Sequence, residues 1–248
     1  MKQVTFDFTG KNFIVTGASS GMGRQIALEL AEAGAKVLAI ARREKELQQL
    51  NLLYPDLIVP ASLDVCDEEK LETAIKDFIS QYGKIDGAVH AAGISKLTPL
   101  RAYDNDEAKQ IMDVSFWAAV KLMQIATKAK YSNIGASFLA FSSVCAIHTD
   151  KGLFAYASAK AAIKIAMKTF AKETSNRKLR VNIISPGWVN TNMTTGLEET
   201  HNLSEVNSSS LLGAGNPEDV SGMVLFLLSD RAKWITGTDV IVDGGYLA

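Results

Sequence analysis

Cysteine is scarce in this chain. Cys66 and Cys145 lie far apart, with neither metal-ligand spacing nor the makings of a disulfide framework. A reduced, cytoplasmic setting is expected from that usage. Histidine is hardly more abundant. His90, His148 and His201 form no pair at metal-ligand spacing and no Ser-His-Asp order, so each reads as an ordinary polar or loop residue and no metal site is expected. No apolar run reaches the roughly 18 residues a membrane helix needs. The first residues, Met1 to Asp7, lack the basic-then-apolar pattern of a signal peptide. An excess of either charge is missing too. Twenty-six basic residues face 27 acidic ones, a formal net charge of −1, which leaves no electrostatic footprint for nucleic acid.

What the chain has is a core and a rhythm. Hydrophobic residues make up 47% and charged residues 21%, enough apolar material for a sizeable interior. Short apolar runs at 12–16, 36–41, 57–61, 87–91, 136–142, 179–185 and 239–243 alternate with helical patterns at 22–33, 44–53, 68–81, 107–130, 156–174 and 217–228. Near-continuous apolar strands separated by helices predict an α/β fold. The expectation is one Rossmann-like, doubly wound domain over residues 1–248, with about seven parallel strands and helices on both faces. The helices at 107–130 and 156–174 carry apolar residues almost all round. Burial on every side is expected for them, and in one domain of this kind that implies a partner subunit, as a homodimer or homotetramer. The stretch from Thr191 to Gly215 is polar and long for a connection, as substrate lids are.

Thr16-Gly17-Ala18-Ser19-Ser20-Gly21-Met22-Gly23 sits where the first strand passes into the first helix. Glycines there let the backbone turn sharply and approach a ligand, and the helix N-terminus offers free N–H groups to a pyrophosphate. Gly17, Ser19, Ser20, Gly21, Met22 and Gly23 are therefore candidate cofactor contacts. An acid at the end of the second strand would bond a ribose 2′-hydroxyl. This chain has Ala41-Arg42-Arg43 instead, and two guanidiniums suit a 2′-phosphate by charge and fork geometry, which favours NADP(H) over NAD(H). Asp64, ending the third strand, is placed to accept from an adenine amino group.

A third cluster carries the chemistry. Tyr156 and Lys160 are four apart, one turn along a single helix face. A cation beside a phenol favours the phenolate. Ser143 ends the apolar run 138–143, so its hydroxyl and the Tyr/Lys pair could converge on one carbonyl oxygen.

With these in order, the chain resembles the short-chain dehydrogenase/reductase family over roughly residues 8 to 245. Further matches are Leu63-Asp64-Val65, Ala92-Gly93, the run 180–187 ending in Pro186-Gly187, Thr191-Asn192-Met193, Trp234 to Gly237 and Val242 to Gly245. It is most similar to the NADPH-preferring 3-oxoacyl-(acyl-carrier-protein) reductase type. The resemblance implies that Tyr156 is the acid/base, that Lys160 lowers its pKa and holds the nicotinamide ribose, and that Ser143 bonds the substrate oxygen. It further implies that Val65, Ala91, Ala92 and Gly93 line the cofactor, and that Pro186, Gly187, Val189 and Thr191 embrace the nicotinamide.

Three stretches depart from the family's pattern. His90-Ala91-Ala92-Gly93 stands for Asn-Asn-Ala-Gly, Ser115 stands where an asparagine in a local kink usually positions a relay water, and Val144-Cys145-Ala146 follows Ser143 where Val-Ala-Gly is frequent. The expected activity is hydride transfer between NADP(H) and a ketone or secondary alcohol, with a 3-oxoacyl thioester or a small polar ketone as substrate. Lys128, Lys130, Arg177 and Lys178 are a candidate docking patch for an acidic carrier. The alternatives are an NAD-linked alcohol, polyol or sugar dehydrogenase, and a nucleotide-binding regulatory protein with weak turnover.

Overall fold

The computed structural model of the chain describes residues 4–195 and 210–248. Seven strands form one sheet: β1 (Asn12–Thr16), β2 (Lys36–Ala41), β3 (Ile58–Ser62), β4 (Ile85–His90), β5 (Ser132–Phe141), β6 (Arg180–Pro186) and β7 (Asp239–Val242). Their order is β3-β2-β1-β4-β5-β6-β7, and every pairing is parallel. The expected fold class is therefore the observed one. Alternate strand residues feed two cores. Ile14, Leu38, Ile40, Phe138 and Ala140 face one, while Phe13, Val15, Val37, Ala39 and Leu139 face the other. Both faces are dry, which is why each strand reads as an unbroken apolar run rather than an alternating one.

The first core is closed by α3 (Glu68–Tyr82), α5 (Ala118–Ala126) and α6 (Phe154–Glu173). The second is closed by α1 (Gly21–Glu32), α2 (Glu44–Leu53) and a helix at Pro217–Leu228. A four-residue helix α7 (Asn192–Thr195) precedes that last one, which becomes α8. The chain reverses its direction of travel across the sheet between β1 and β4. In parallel sheets the crevice beyond the strand ends at such a switch point is where ligands bind.

The structure corrects the sequence reading of one helix. The single helix expected at 107–130 is α4 (Asn105–Met112), a π-helical turn at Asp113–Trp117, then α5. Asp104 starts it early by accepting from the amides of Asp106 and Glu107. It ends at Ala126, because residues 127–131 must turn the chain into β5. On these apolar helices Trp117 and Ile165 are 57% and 63% exposed within the chain. The neck of the expected lid is drawn together by backbone bonds. Asn190 N–H donates to Gly215 O at 2.8 Å, and Gly215 N–H to Trp188 O at 3.0 Å. The middle of that lid, with Leu197, Glu198, Glu199, Leu203 and Glu205, lies outside the described residues, as does His201.

Candidate active site

The glycine turn comes first, since everything else is packed against it. Gly17 has a φ of 70°, and a Cβ there would stand 2.8 Å from the backbone of Ala91 and Ala92. The turn after β1 thus rests directly on the turn after β4, an approach open only to glycine. A Cβ at Gly23 would run into the Gly17 carbonyl, so α1 also seats on the turn without an intervening side chain. No side chain caps α1 at Ser20, and its first turn holds no acid. The free N–H groups and positive end of the helix dipole are left for an anion. Ser19, Gly21, Met22, Val65, Ala92 and Gly93 line the same cleft. Thr191 closes over it from the far side, its Cγ2 3.1 Å from where a Gly21 Cβ would be.

The two arginines after β2 behave differently. Arg43 lays its fork across the glycine turn: Nε and Nη2 donate to Ser19 Oγ at 3.1 and 2.9 Å, and Nη2 to Ser20 Oγ at 2.6 Å. Arg42 is largely exposed and stands 4.0 Å from Asp64 Oδ2. Asp64 also accepts from Cys66 N–H through Oδ1. The cleft therefore presents two guanidiniums, two hydroxyls and an uncapped helix end on one rim. That donor set fits a dinucleotide bearing an extra phosphate on its ribose.

Beyond Gly93, which lines the cleft, comes Lys160, its Nζ 3.4 Å from where a Gly93 Cβ would be, and with it the residues singled out for chemistry. Lys160 is 4% exposed, and its Nζ donates to Phe141 O at the end of β5 at 2.9 Å. Its backbone carbonyl accepts from Ser142 Oγ at 2.8 Å, which clamps α6 to the same strand end. The ammonium lies 5.6 Å from the centre of the Tyr156 ring. Burial depresses it from 10.5 to about 8. Ser143 is buried, and its Oγ accepts from Cys145 N–H at 3.1 Å, which fixes the hydroxyl oxygen at the strand end.

Tyr156 departs from expectation. Burial raises its phenol to about 12, with the neighbouring Cys145 adding to the rise and only Ser143 opposing it. Within this chain Lys160 does not win against desolvation. A phenol with so high a pKa stays protonated throughout the neutral range, the state required to donate a proton to a nascent alkoxide.

Ser115 occupies the π-helical turn, where Ala118 N–H reaches back five residues to Asp113 O. π-turns are rare and cluster at functional sites. The side chain is fully buried and its Oγ has no hydrogen-bond partner. A Cβ built on Gly93 would lie 3.4 Å from Lys160 Nζ and 3.7 Å from Ser115 Oγ. Both polar atoms thus face the small space above Gly93. The sequence-predicted set Ser143, Tyr156, Lys160 and Ser115 therefore gathers at the strand ends, although Ser115 comes from an element the sequence reading had drawn as plain helix.

One residue of this region escaped the sequence reading. His90 ends β4, is 1% exposed, and is no ordinary loop histidine. Its Nε2 lies 3.0 Å from Val114 O, and its Nδ1 lies 3.1 Å from Thr16 Oγ1. A carbonyl can only accept, so Nε2 carries the proton and Nδ1 accepts from the Thr16 hydroxyl. That hydroxyl in turn accepts from Ala92 N–H at 3.3 Å. Burial, and then the charge on Lys160, pull the imidazole down to about 3, which fixes it neutral. The one available signal was its position, the first of the two residues, His90 and Ala91, that depart from Asn-Asn-Ala-Gly.

The remaining predicted positions are mixed. Pro186, Gly187 and Val189 lie where β6 ends, beside the neck of the lid, and a Gly187 Cβ would strike Asp243 at 2.7 Å. The carrier patch fares worse. It lies where the chain enters β5 and β6, so within one chain it is at the opposite end of the sheet from Ser143. Arg177 spends its fork on Thr127 O and Ser132 O, and Lys128 pairs with Glu72. Among the described residues no cluster of His, Cys, Asp and Glu could hold a metal ion, and no helix is long and apolar enough to cross a membrane.

Known proteins resemble the chain over nearly its whole length. A family model described as enoyl-(acyl carrier protein) reductase matches residues 17–247. The chain is 30% identical over 239 residues to the 3-oxoacyl-(acyl-carrier-protein) reductase FabG of Thermotoga maritima, covering 95% of this chain and 97% of that protein. It is 31% identical over 242 residues to the protein of that name from Escherichia coli, covering 96% and 98%. A solved short-chain type dehydrogenase/reductase from Mycobacterium marinum superposes with a TM-score of 0.90 at 29% identity, over 97% of each chain. A Brucella melitensis structure, at 24% identity and a TM-score of 0.93, shares the fold.

Proposed function

The chain belongs to the short-chain dehydrogenase/reductase family of oxidoreductases, and from that premise we propose that it reduces a ketone at the expense of NADPH, with Tyr156 as the proton donor. The observation that carries this reading is the Tyr156–Lys160 pair at the start of α6, with the buried ammonium 5.6 Å from the ring centre. Lys160 is held as an ammonium at neutral pH and Tyr156 as a neutral phenol, beside a serine hydroxyl fixed at a strand end. Bound NADPH supplies the hydride. Negative charge then develops on the substrate oxygen, and two hydroxyls aimed at that oxygen, Ser143 and Tyr156, stabilise it. Tyr156 gives up its proton, and the neighbouring Lys160 cation holds the phenolate until it is reprotonated. The neutral phenol suits the reductive direction, in which Tyr156 gives up a proton; in the reverse direction the same residue takes one from the alcohol.

NADP(H) is favoured by the clamp of Arg43 on Ser19 and Ser20, with Arg42 alongside. NAD-linked alcohol dehydrogenation is the weaker reading, because no acid stands at the end of β2 to take a ribose 2′-hydroxyl. The substrate class divides between a 3-oxoacyl thioester, by likeness to the relatives, and a small polar ketone. Burial raises the Cys145 thiol and the Tyr246 phenol, and Asp150 adds to both rises. The exposed Trp117 and Ile165 support pairing of the α4–α5 and α6 surfaces with a second copy, in a homodimer or homotetramer held in the cytoplasm.

The test is a carbonyl panel, including acetoacetyl thioesters and small hydroxy-ketones, run with NADPH and with NADH. Consumption of NADPH at least tenfold faster than NADH is expected. Faster reaction with NADH would overturn the cofactor assignment, and no reaction with any carbonyl would favour the regulatory reading.

A further inference from the structure

Two of the positions that break the family's pattern, His90 and Ser115, meet in the fold. We propose that His90 is a positioning residue for the proton supply of the site: through the Val114 carbonyl it holds the π-helical turn that points Ser115 at Lys160. This rests on the reading of Tyr156 as proton donor, because a donor must be recharged at each turnover.

Three observations carry the proposal. The imidazole bridges the end of β4 and the π turn, spending its single N–H on the carbonyl of the residue just before Ser115. Ser115 Oγ is buried without a partner, and it shares the space above Gly93 with Lys160 Nζ. A buried hydroxyl left unpaired is destabilising unless something fills that role. A water between the hydroxyl and the ammonium would satisfy both and give Lys160 a route to a fresh proton. Third, His90 is itself anchored: Ala92 N–H donates to Thr16 Oγ1, whose proton goes to His90 Nδ1. The turn that carries the glycine loop and the turn that carries Ser115 are thereby fixed to one ring.

Serine is shorter than the asparagine usual at that position. Its hydroxyl reaches the relay space only if the backbone around it is held in place. On this account the histidine supplies that hold, so the two substitutions work as a unit.

The test is a double-mutant cycle on the full chain: His90→Leu, Ser115→Ala and both together, with His90→Gln as the rescue. NADPH affinity and kcat for ketone reduction are measured on each. His90→Leu should lower kcat at least tenfold while leaving the NADPH Kd within threefold of wild type. His90→Gln, whose amide N–H can reach the Val114 carbonyl, should recover kcat to within threefold. In the Ser115→Ala background, His90→Leu should cost less than a further twofold, because the residue it positions is already gone. Multiplying losses, an unchanged kcat in His90→Leu, or failure of the glutamine to rescue would each overturn the proposal. Should His90→Leu not fold, His90→Met replaces it under the same expectations. If the wild-type chain reduces no carbonyl, the functional reading has failed, and crystal structures decide the inference. A lost π turn or a displaced Ser115 hydroxyl in the apolar variant upholds it, and an unmoved turn and hydroxyl overturn it.

Discussion

Replacing Lys160 by methionine separates what the lysine costs the fold from what it does in the site. The side chain is 4% exposed, and burial depresses its ammonium from 10.5 to about 8. At pH 7 folded and unfolded chains both carry the charge, so the folded chain bears the full desolvation. At ~1.4 kcal/mol per tenfold change in proton affinity, that is about 3 kcal/mol. Methionine fills a similar volume without the charge, but it takes the Nζ donor from Phe141 O. An unsatisfied buried carbonyl costs ~1–3 kcal/mol. The net expectation is a variant more stable than wild type by ~1 kcal/mol at pH 7. The sign of the pH dependence then follows. Between pH 8 and 10.5 the unfolded lysine keeps its proton while the folded one gives it up, so wild-type stability rises with pH. The advantage of Lys160→Met should shrink across that window and become a deficit of ~2 kcal/mol near pH 10.5. Urea unfolding at pH 7 and pH 10 reads both numbers, and an NADPH oxidation assay should find turnover abolished. A stability difference that does not change between the two pH values would refute the claim that the fold holds Lys160 as a strained buried cation. Unchanged turnover would remove it from the chemistry.

Other outcomes are expected on the same reasoning. His90 is depressed from 6.5 to about 3, so stability is full above pH 6.5 and is lost as the pH falls toward 3. By pH 4.5 the loss from this group should reach roughly 3 kcal/mol, and acid unfolding of His90→Gln should lack it. Arg43→Ala removes charge-assisted bonds from the cofactor rim and should weaken NADPH binding about 10- to 100-fold with little effect on NADH; equal weakening of both would show that Arg43 only braces the glycine turn. Ser115→Asn should leave turnover unchanged or raise it, and a large loss in steady-state rate would show that the serine has a role of its own.

Much of the fold was legible because both faces of the sheet are buried. Apolar strand runs and glycine-punctuated turns encode that arrangement locally, as in Phe13-Ile14-Val15 ahead of Gly17. The gathering of Ser143, Tyr156 and Lys160 was legible for the same reason: a strand end and one face of a helix are both short-range features. The π turn at Asp113–Trp117 was not. Asp-Val-Ser-Phe-Trp carries no glycine or proline to mark a break, and what accompanies the extra residue in the turn is a tertiary bond from His90, 24 residues away. Periodicity marked the helices that carry Trp117 and Ile165 as apolar all round, but it does not say which surface covers the exposed side chains. The basic patch near Arg177 was misread because proximity in sequence to α6 hid the fact that α6 runs the full depth of the sheet.

Tyr156→Phe tests the central claim most directly. The substitution deletes one hydroxyl and leaves the ring in place. NADPH titration and ketone-reduction kinetics on the same preparation should show a Kd within about threefold of wild type and kcat down by roughly 10²- to 10⁴-fold, the usual span for loss of a positioned general acid. A variant that binds NADPH normally and keeps most of its turnover would contradict the account at its root.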